Sequence, residues 1–194
     1  MRVSRIQAAE NRQTVINVAG RLFRERGFDG IGLKDLMEGA GLTQGAFYKQ
    51  FESKEDLAAQ ASRRALESAS QRWSSAIAEN PNDPLGAVIG LYLSAGHRED
   101  KMDGCPVVAL GSDAARQGTD VRAAFEAGIK AYLEVLGDSI ATSDGKGPKG
   151  KRKAMTILST MVGALTLSRV VNDPVLAQAF LNAAAKHVRE SVTA

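Results

Sequence analysis

Two helix-start signals crowd into the stretch 41–57, GLTQGAFYKQFESKEDL. Thr43 can cap one helix, and Ser53, followed three residues later by Asp56, reads as a capping-box start for another. The helix between them has room for only about two turns. So short a helix is marginal in water on its own. A chain that keeps one must hold it from its flanks and must have a use for so slim an element.

The flanks are helical by pattern. Val15, Ile16, Ala19, Leu22 and Phe23 recur at helical spacing from Asn11 to Arg26, and Gly27 stops the run. Leu33, Leu36, Met37 and Ala40 form a second stripe, ended by Gly41. A third helix runs from about Gln44 to Phe51, and a long fourth from Ser53 to about Glu79. Asp83-Pro84 is a cap followed by proline at the first helical position and opens a fifth, to about Gly96. The segment GHREDKMDG reads as a loop, Gly104-Cys105-Pro106 opens a sixth helix, and Thr119 or Asp120 a seventh. SDGKGPKGKRK has the composition of a flexible linker. An apolar helix follows from Ala154 to Val171, and Asp173-Pro174 caps a last one. No repeat and no strand-like alternation occurs. The reading is all-α with about nine helices, and a domain boundary at the long fourth helix divides residues 1–53 from 54–194.

Composition narrows the function classes. One cysteine excludes an internal disulfide, and His97 and His187 stand too far apart for a zinc-ligand spacing. No catalytic motif surrounds Cys105 or either histidine, and GKGPKGKRK lacks the strand and spacing of a phosphate loop. The expectation is therefore a non-enzyme with no metal and no cofactor. The start lacks the apolar core of a signal peptide, and the longest uncharged run, Ala154 to Ser168, is shorter than the ~20 residues of a membrane span. A cytoplasmic protein with no membrane partner is expected.

The short helix suits one task. On a helical projection Phe47 and Phe51 lie together toward the first two helices, leaving Gly45, Tyr48 and Lys49 outward with Gln44 at the edge. A helix, a tight turn with glycine and a second helix with polar side chains outward describe a helix-turn-helix unit, whose second helix enters the major groove. Gln suits adenine or backbone, Lys suits guanine or phosphate, and a tyrosine hydroxyl suits phosphate. Gly45 lets the duplex approach closely, and Lys54 adds charge where helix-start N–H groups already favour an anion. Residues 1–51 hold eight Lys/Arg against five Asp/Glu, too small an excess to demand DNA, so a helical interaction module without sequence-specific DNA binding stays open on these grounds.

GFDGIGLKDLMEGAGLTQGAFYKQFESKEDL resembles the DNA-binding region of TetR-family transcriptional repressors, which carry an aromatic after a glycine, a short helix ending Tyr-x-x-Phe, then Ser-Lys-Glu-x-Leu. Tyr48-Lys49-Gln50-Phe51 and Ser53-Lys54-Glu55-Asp56-Leu57 match position by position. The resemblance spans roughly Asn11 to Leu57 and implies double-stranded operator DNA as partner, with Thr43, Gln44, Tyr48, Lys49 and Lys54 touching it. Gly32 departs from it, standing where many members have a Thr or Ser that caps the second helix; the N–H groups of Leu33 and Lys34 would substitute.

The resemblance also implies a C-terminal helical domain that binds a small effector and forms a homodimer through the last two helices. Trp73, Tyr92, Met102, Phe125 and Tyr132 are the bulky candidates for an effector pocket, although such residues are commonly plain core. Cys105 would cap the sixth helix, where a thiol faces unpaired N–H groups, an environment that suits a reactive cysteine; the other reading is a small packed residue. Ile157, Met161, Leu165, Leu176, Phe180 and Ala183 are the candidates for the dimer interface, with an intrachain core as the competing use.

Overall fold

The computed structural model describes residues 5–140 and 147–193. Ten helices lie among them: α1 (Arg5–Arg26), α2 (Leu33–Gly39), α3 (Gln44–Phe47), α4 (Lys54–Glu79), α5 (Pro84–Tyr92), α6 (Ala95–Glu99), α7 (Pro106–Ala114), α8 (Thr119–Ser139), α9 (Pro148–Val170) and α10 (Pro174–Thr193). No described residue is in a strand, and no described helix is long and apolar enough to cross a membrane.

The chain divides into two compact units, Met1–Glu67 with Cys105–Ala127, and Ser68–Gly104 with Gly128–Ala194. In the first, Val15, Ile16, Ala19 and Phe23 of α1 are buried together with Leu36, Met37, Phe47, Phe51 and Leu57. Each of these apart from Ala19 contributes about 1.5–3 kcal/mol by leaving water. The Phe23 and Phe28 rings tilt against each other at 5.2 Å across the α1 terminus. There Gly27 takes φ +78°, the left-handed region where a Cβ is strained. Gly41 does the same at φ +70° and turns the chain from α2 toward α3.

In the second unit, α9 packs along α10. Ala177, Leu181, Ala184 and Val188 are buried at helical spacing, and so are Ile157, Leu158, Met161 and Leu165. Asp83 caps α5 by accepting the Gly86 N–H at 2.9 Å, and Asp173 accepts the Val175 N–H at 2.8 Å, both at the starts expected for them.

Three elements differ from expectation. The tenth helix is α6, in the segment that reads as a loop; Ser94 starts it by accepting the His97 N–H at 3.1 Å. Helix α9 begins at Pro148, so GPKGKRK is helical from its proline onward; the preceding residues of the expected linker, 143–146, lie outside the described residues. Proline at a first helical position, followed by good helix formers, outweighs the linker-like composition. Helix α3 is four residues long, and the chain continues to Phe51 in tighter turns, with Gln50 N–H donating to Phe47 O at 2.8 Å.

Candidate nucleic-acid interface and effector region

The corner from α3 into α4 is anchored on its inner side by two rings. Phe47 and Phe51 are buried and stacked, 5.5 Å between centroids, and Tyr48 meets the Phe47 edge at 5.3 Å. That packing turns Tyr48 outward, 68% exposed. Thr43, Gln44, Gly45 and Lys49 are exposed beside it, and Lys54 is half-buried as the first residue of α4. The six expected contact residues therefore all belong to one corner. Thr43 holds the N-cap backbone position of α3, but its side chain makes no capping bond, contrary to the capping role expected of it. A Cβ added at Gly45 meets nothing within 4 Å, so the chain itself has no steric need for glycine there. Gly32 is the N-cap of α2 without a side-chain bond.

Ser53 and Asp56 do form the expected helix start. Ser53 Oγ accepts the Asp56 N–H at 3.0 Å, and Asp56 Oδ2 accepts the N–H of Glu52 at 3.2 Å. Asp56 Oδ1 accepts from Gln60 Nε2 at 2.6 Å, and Gln60 Oε1 accepts from Arg12 Nη2 at 2.6 Å. Arg12 Nε donates to the carbonyl of Gln50 at 3.4 Å, and its guanidinium lies 5.1 Å from the Phe51 centroid. Sequence reasoning missed Arg12. The available signal was its place one turn before Val15 and Ile16, a cation on the face that α1 buries.

Of the expected effector residues, the structure brings three together. Trp73 stacks on Tyr132 at 4.5 Å and meets the Tyr92 edge at 5.5 Å, and all three are buried. His97 extends the ladder, 4.8 Å from Tyr92, with Nδ1 2.7 Å from the Tyr92 carbonyl. Burial holds the His97 imidazole below its ordinary pKa, and the charges of Arg169 and Arg72 add to this against the Tyr92 carbonyl and Asp100. Met102 is half-buried in the same unit. Cys105 and Phe125 are buried in the other unit, Cys105 at the N-cap of α7 with no capping bond from its side chain. A surface groove of about 460 Å³ lies elsewhere, between α8 and α9, lined by Lys130, Leu133, Glu134, Lys151 and Met155 among others.

The expected dimer residues separate by face. Met161 is 0% exposed, and Ile157 and Leu165 are likewise inside the chain's own core, the competing use of those positions. Leu176 and Ala183 are exposed and Phe180 is half-buried. Leu167 and Val170 of α9 and Val175 of α10 are further exposed apolar side chains, Val170 at 73%.

Residues 15–61 match the bacterial regulatory proteins of the TetR family, and residues 81–191 match the C-terminal domain of LmrA/YxaF-like transcriptional regulators. The chain belongs to the TetR family. It is a DNA-binding transcriptional regulator. The HTH-type transcriptional repressor NemR of Escherichia coli is 23% identical to it over 134 residues, 68% of this chain and 67% of that one. LmrA of Bacillus subtilis, an HTH-type transcriptional regulator, is 23% identical over 163 residues, 82% and 86% of the two chains. Among solved structures, a TetR transcriptional regulator from Chloroflexus aurantiacus superposes with a TM-score of 0.80 at 27% identity, covering 96% of both chains.

Proposed function

We propose that this TetR-family protein represses transcription by binding an inverted-repeat operator as a homodimer, and that a small-molecule effector releases it. The observation that carries the reading is the α3 corner: Phe47 and Phe51 hold it from inside while Gln44, Gly45, Tyr48 and Lys49 stay exposed. Tyr48, Lys49 and Lys54 supply donors for phosphate, and Gln44 can read a base edge. A twofold dimer meets two inverted half-sites. The exposed Leu167, Val170, Val175 and Leu176 support a dimer face on α9 and α10. This role calls for no catalytic residue and places the protein in the cytoplasm with the DNA.

The effector reading centres on the unit that holds the Trp73, Tyr92 and Tyr132 cluster, with Met102. An effector releases DNA only if it binds the DNA-incompetent form more tightly. A second reading starts from α7. Cys105 stands at its N-cap, and Asp113 near its other end lies against Gly27, where an added Cβ would be 2.7 Å from Asp113 Oδ2. A modified Cys105 would then act on the end of α1 through one short helix.

Selection of bound duplexes from a random-sequence pool tests the first part. Lys54→Ala should weaken all sequences alike and reduce the salt slope by ~1, whereas Gln44→Ala should change the sequence preference. A helical interaction module would enrich no sequence at all. Cys105→Ser separates the effector readings: continued release by oxidants or electrophiles leaves the thiol as packing.

A further inference from the structure

We infer that Arg12 is a positioning residue for DNA recognition: it sets the angle of the corner between α3 and α4 without touching the duplex. The inference rests on the proposed contacts at that corner. Tyr48 and Lys49 precede the corner, and Lys54 follows it, so their mutual spacing is decided by residues 50–53. Two side chains grip that short link. Arg12 holds the carbonyl of Gln50 from α1, and Asp56 holds the N–H of Glu52 from α4.

Gln60 joins the two grips. Its amide accepts from Arg12 at 2.6 Å on one side and donates to Asp56 at 2.6 Å on the other. The chain of bonds therefore closes a loop from α1 through α4 to the link. The guanidinium also lies over Phe51, whose ring stacks on Phe47, the buried residue of α3. A planar fork is needed here, because one group must reach an amide oxygen, a carbonyl and a ring face together. Lysine cannot supply that geometry. The ordinary alternative for a cation in a DNA-binding unit is a phosphate contact, whose loss lowers the salt slope, whereas loss of a positioning residue leaves it unchanged.

The test uses the full chain and the duplex that the unaltered protein enriches from a random pool. Arg12→Lys and Gln60→Leu should each weaken binding to that duplex by on the order of tenfold, the usual worth of a charged hydrogen bond. The slope of log affinity against log salt should stay unchanged in Arg12→Met, which removes the charge together with the fork. The double variant should be no weaker than either single, because both break one relay. Concentrations of active protein come from titration at saturating DNA, so a loss of folded protein does not mimic a loss of affinity. A slope reduced by about one in Arg12→Met would overturn the inference in favour of a phosphate contact, and additive losses in the double variant would overturn the relay. Unchanged affinity in both singles would overturn it as well. Lys54→Ala, measured on the same duplex, tests the contact assignment separately through its own salt slope.

Discussion

Arg98 holds the backbone next to Arg169, and Arg169 holds the backbone of Arg98 itself. Arg98 Nε donates to the Ser168 carbonyl at 2.8 Å, and Arg169 Nε donates to the Arg98 carbonyl at 3.0 Å. Arg169 Nη2 adds the carbonyls of His97 at 2.6 Å and Asp100 at 2.9 Å. The five-residue α6 ends in carbonyls that no helical N–H can reach, and one guanidinium satisfies three of them. Arg169→Lys removes the fork and should cost about 2 kcal/mol, read as a lower denaturant midpoint with faster amide exchange at His97–Asp100. Exchange rates equal to those of the unaltered chain would show that α6 stands without the clasp.

His97 links the same region to pH. Its folded pKa lies below the ordinary 6.5, chiefly through burial. Above 6.5 the imidazole is neutral in both folded and unfolded chains, and its stabilising share is fully present. As pH falls below that value the unfolded chain takes up the proton first, and stability is lost through the folded pKa. The thermal midpoint should therefore drop as the pH falls through and below 6.5, and His97→Gln should flatten that drop. Parallel curves for the two proteins would remove His97 as the cause.

A substitution at Gly45 should separate folding from recognition. Nothing in the chain stands within 4 Å of an added Cβ, and alanine favours a helix by about 1 kcal/mol over glycine. Gly45→Ala should keep or raise the melting temperature while weakening operator binding. Full affinity with alanine would mean that the duplex does not come close at that position.

The two faces of α9 should respond differently to charge. Val170→Asp places a carboxylate on an exposed apolar patch, so the fold should survive and sedimentation should show monomers with weakened operator binding. Met161→Asp buries an unpaired charge inside the chain and should unfold it. A Val170→Asp protein that stays dimeric would place the interface away from this patch.

Gly118 tests how the start of α8 meets the DNA-binding helices. An added methyl would fall on the Glu55 carboxylate, in the first turn of α4. Gly118→Ala should push that side chain aside and change operator affinity with little loss of stability, since the displaced atoms end a flexible chain. Unchanged affinity would mean that α4 tolerates a free Glu55.

Much of this was legible from local chemistry. Ser53, Asp83 and Asp173 cap the helices their sequence positions announce, because a capping bond spans only two or three residues. The buried stripe of α1 and the outward Gln44, Tyr48 and Lys49 follow from helical periodicity. What only the tertiary structure decided depends on partners far away along the chain. Helix α6 needs Arg169, some seventy residues on, to satisfy its last carbonyls. Periodicity could not choose the inner side of α9, since Met161 and Val170 are both apolar and only the tertiary packing buries one of them. Helical spacing puts Arg12 on the face that α1 buries, but its partners Gln50, Phe51 and Gln60 are brought within reach by the fold alone.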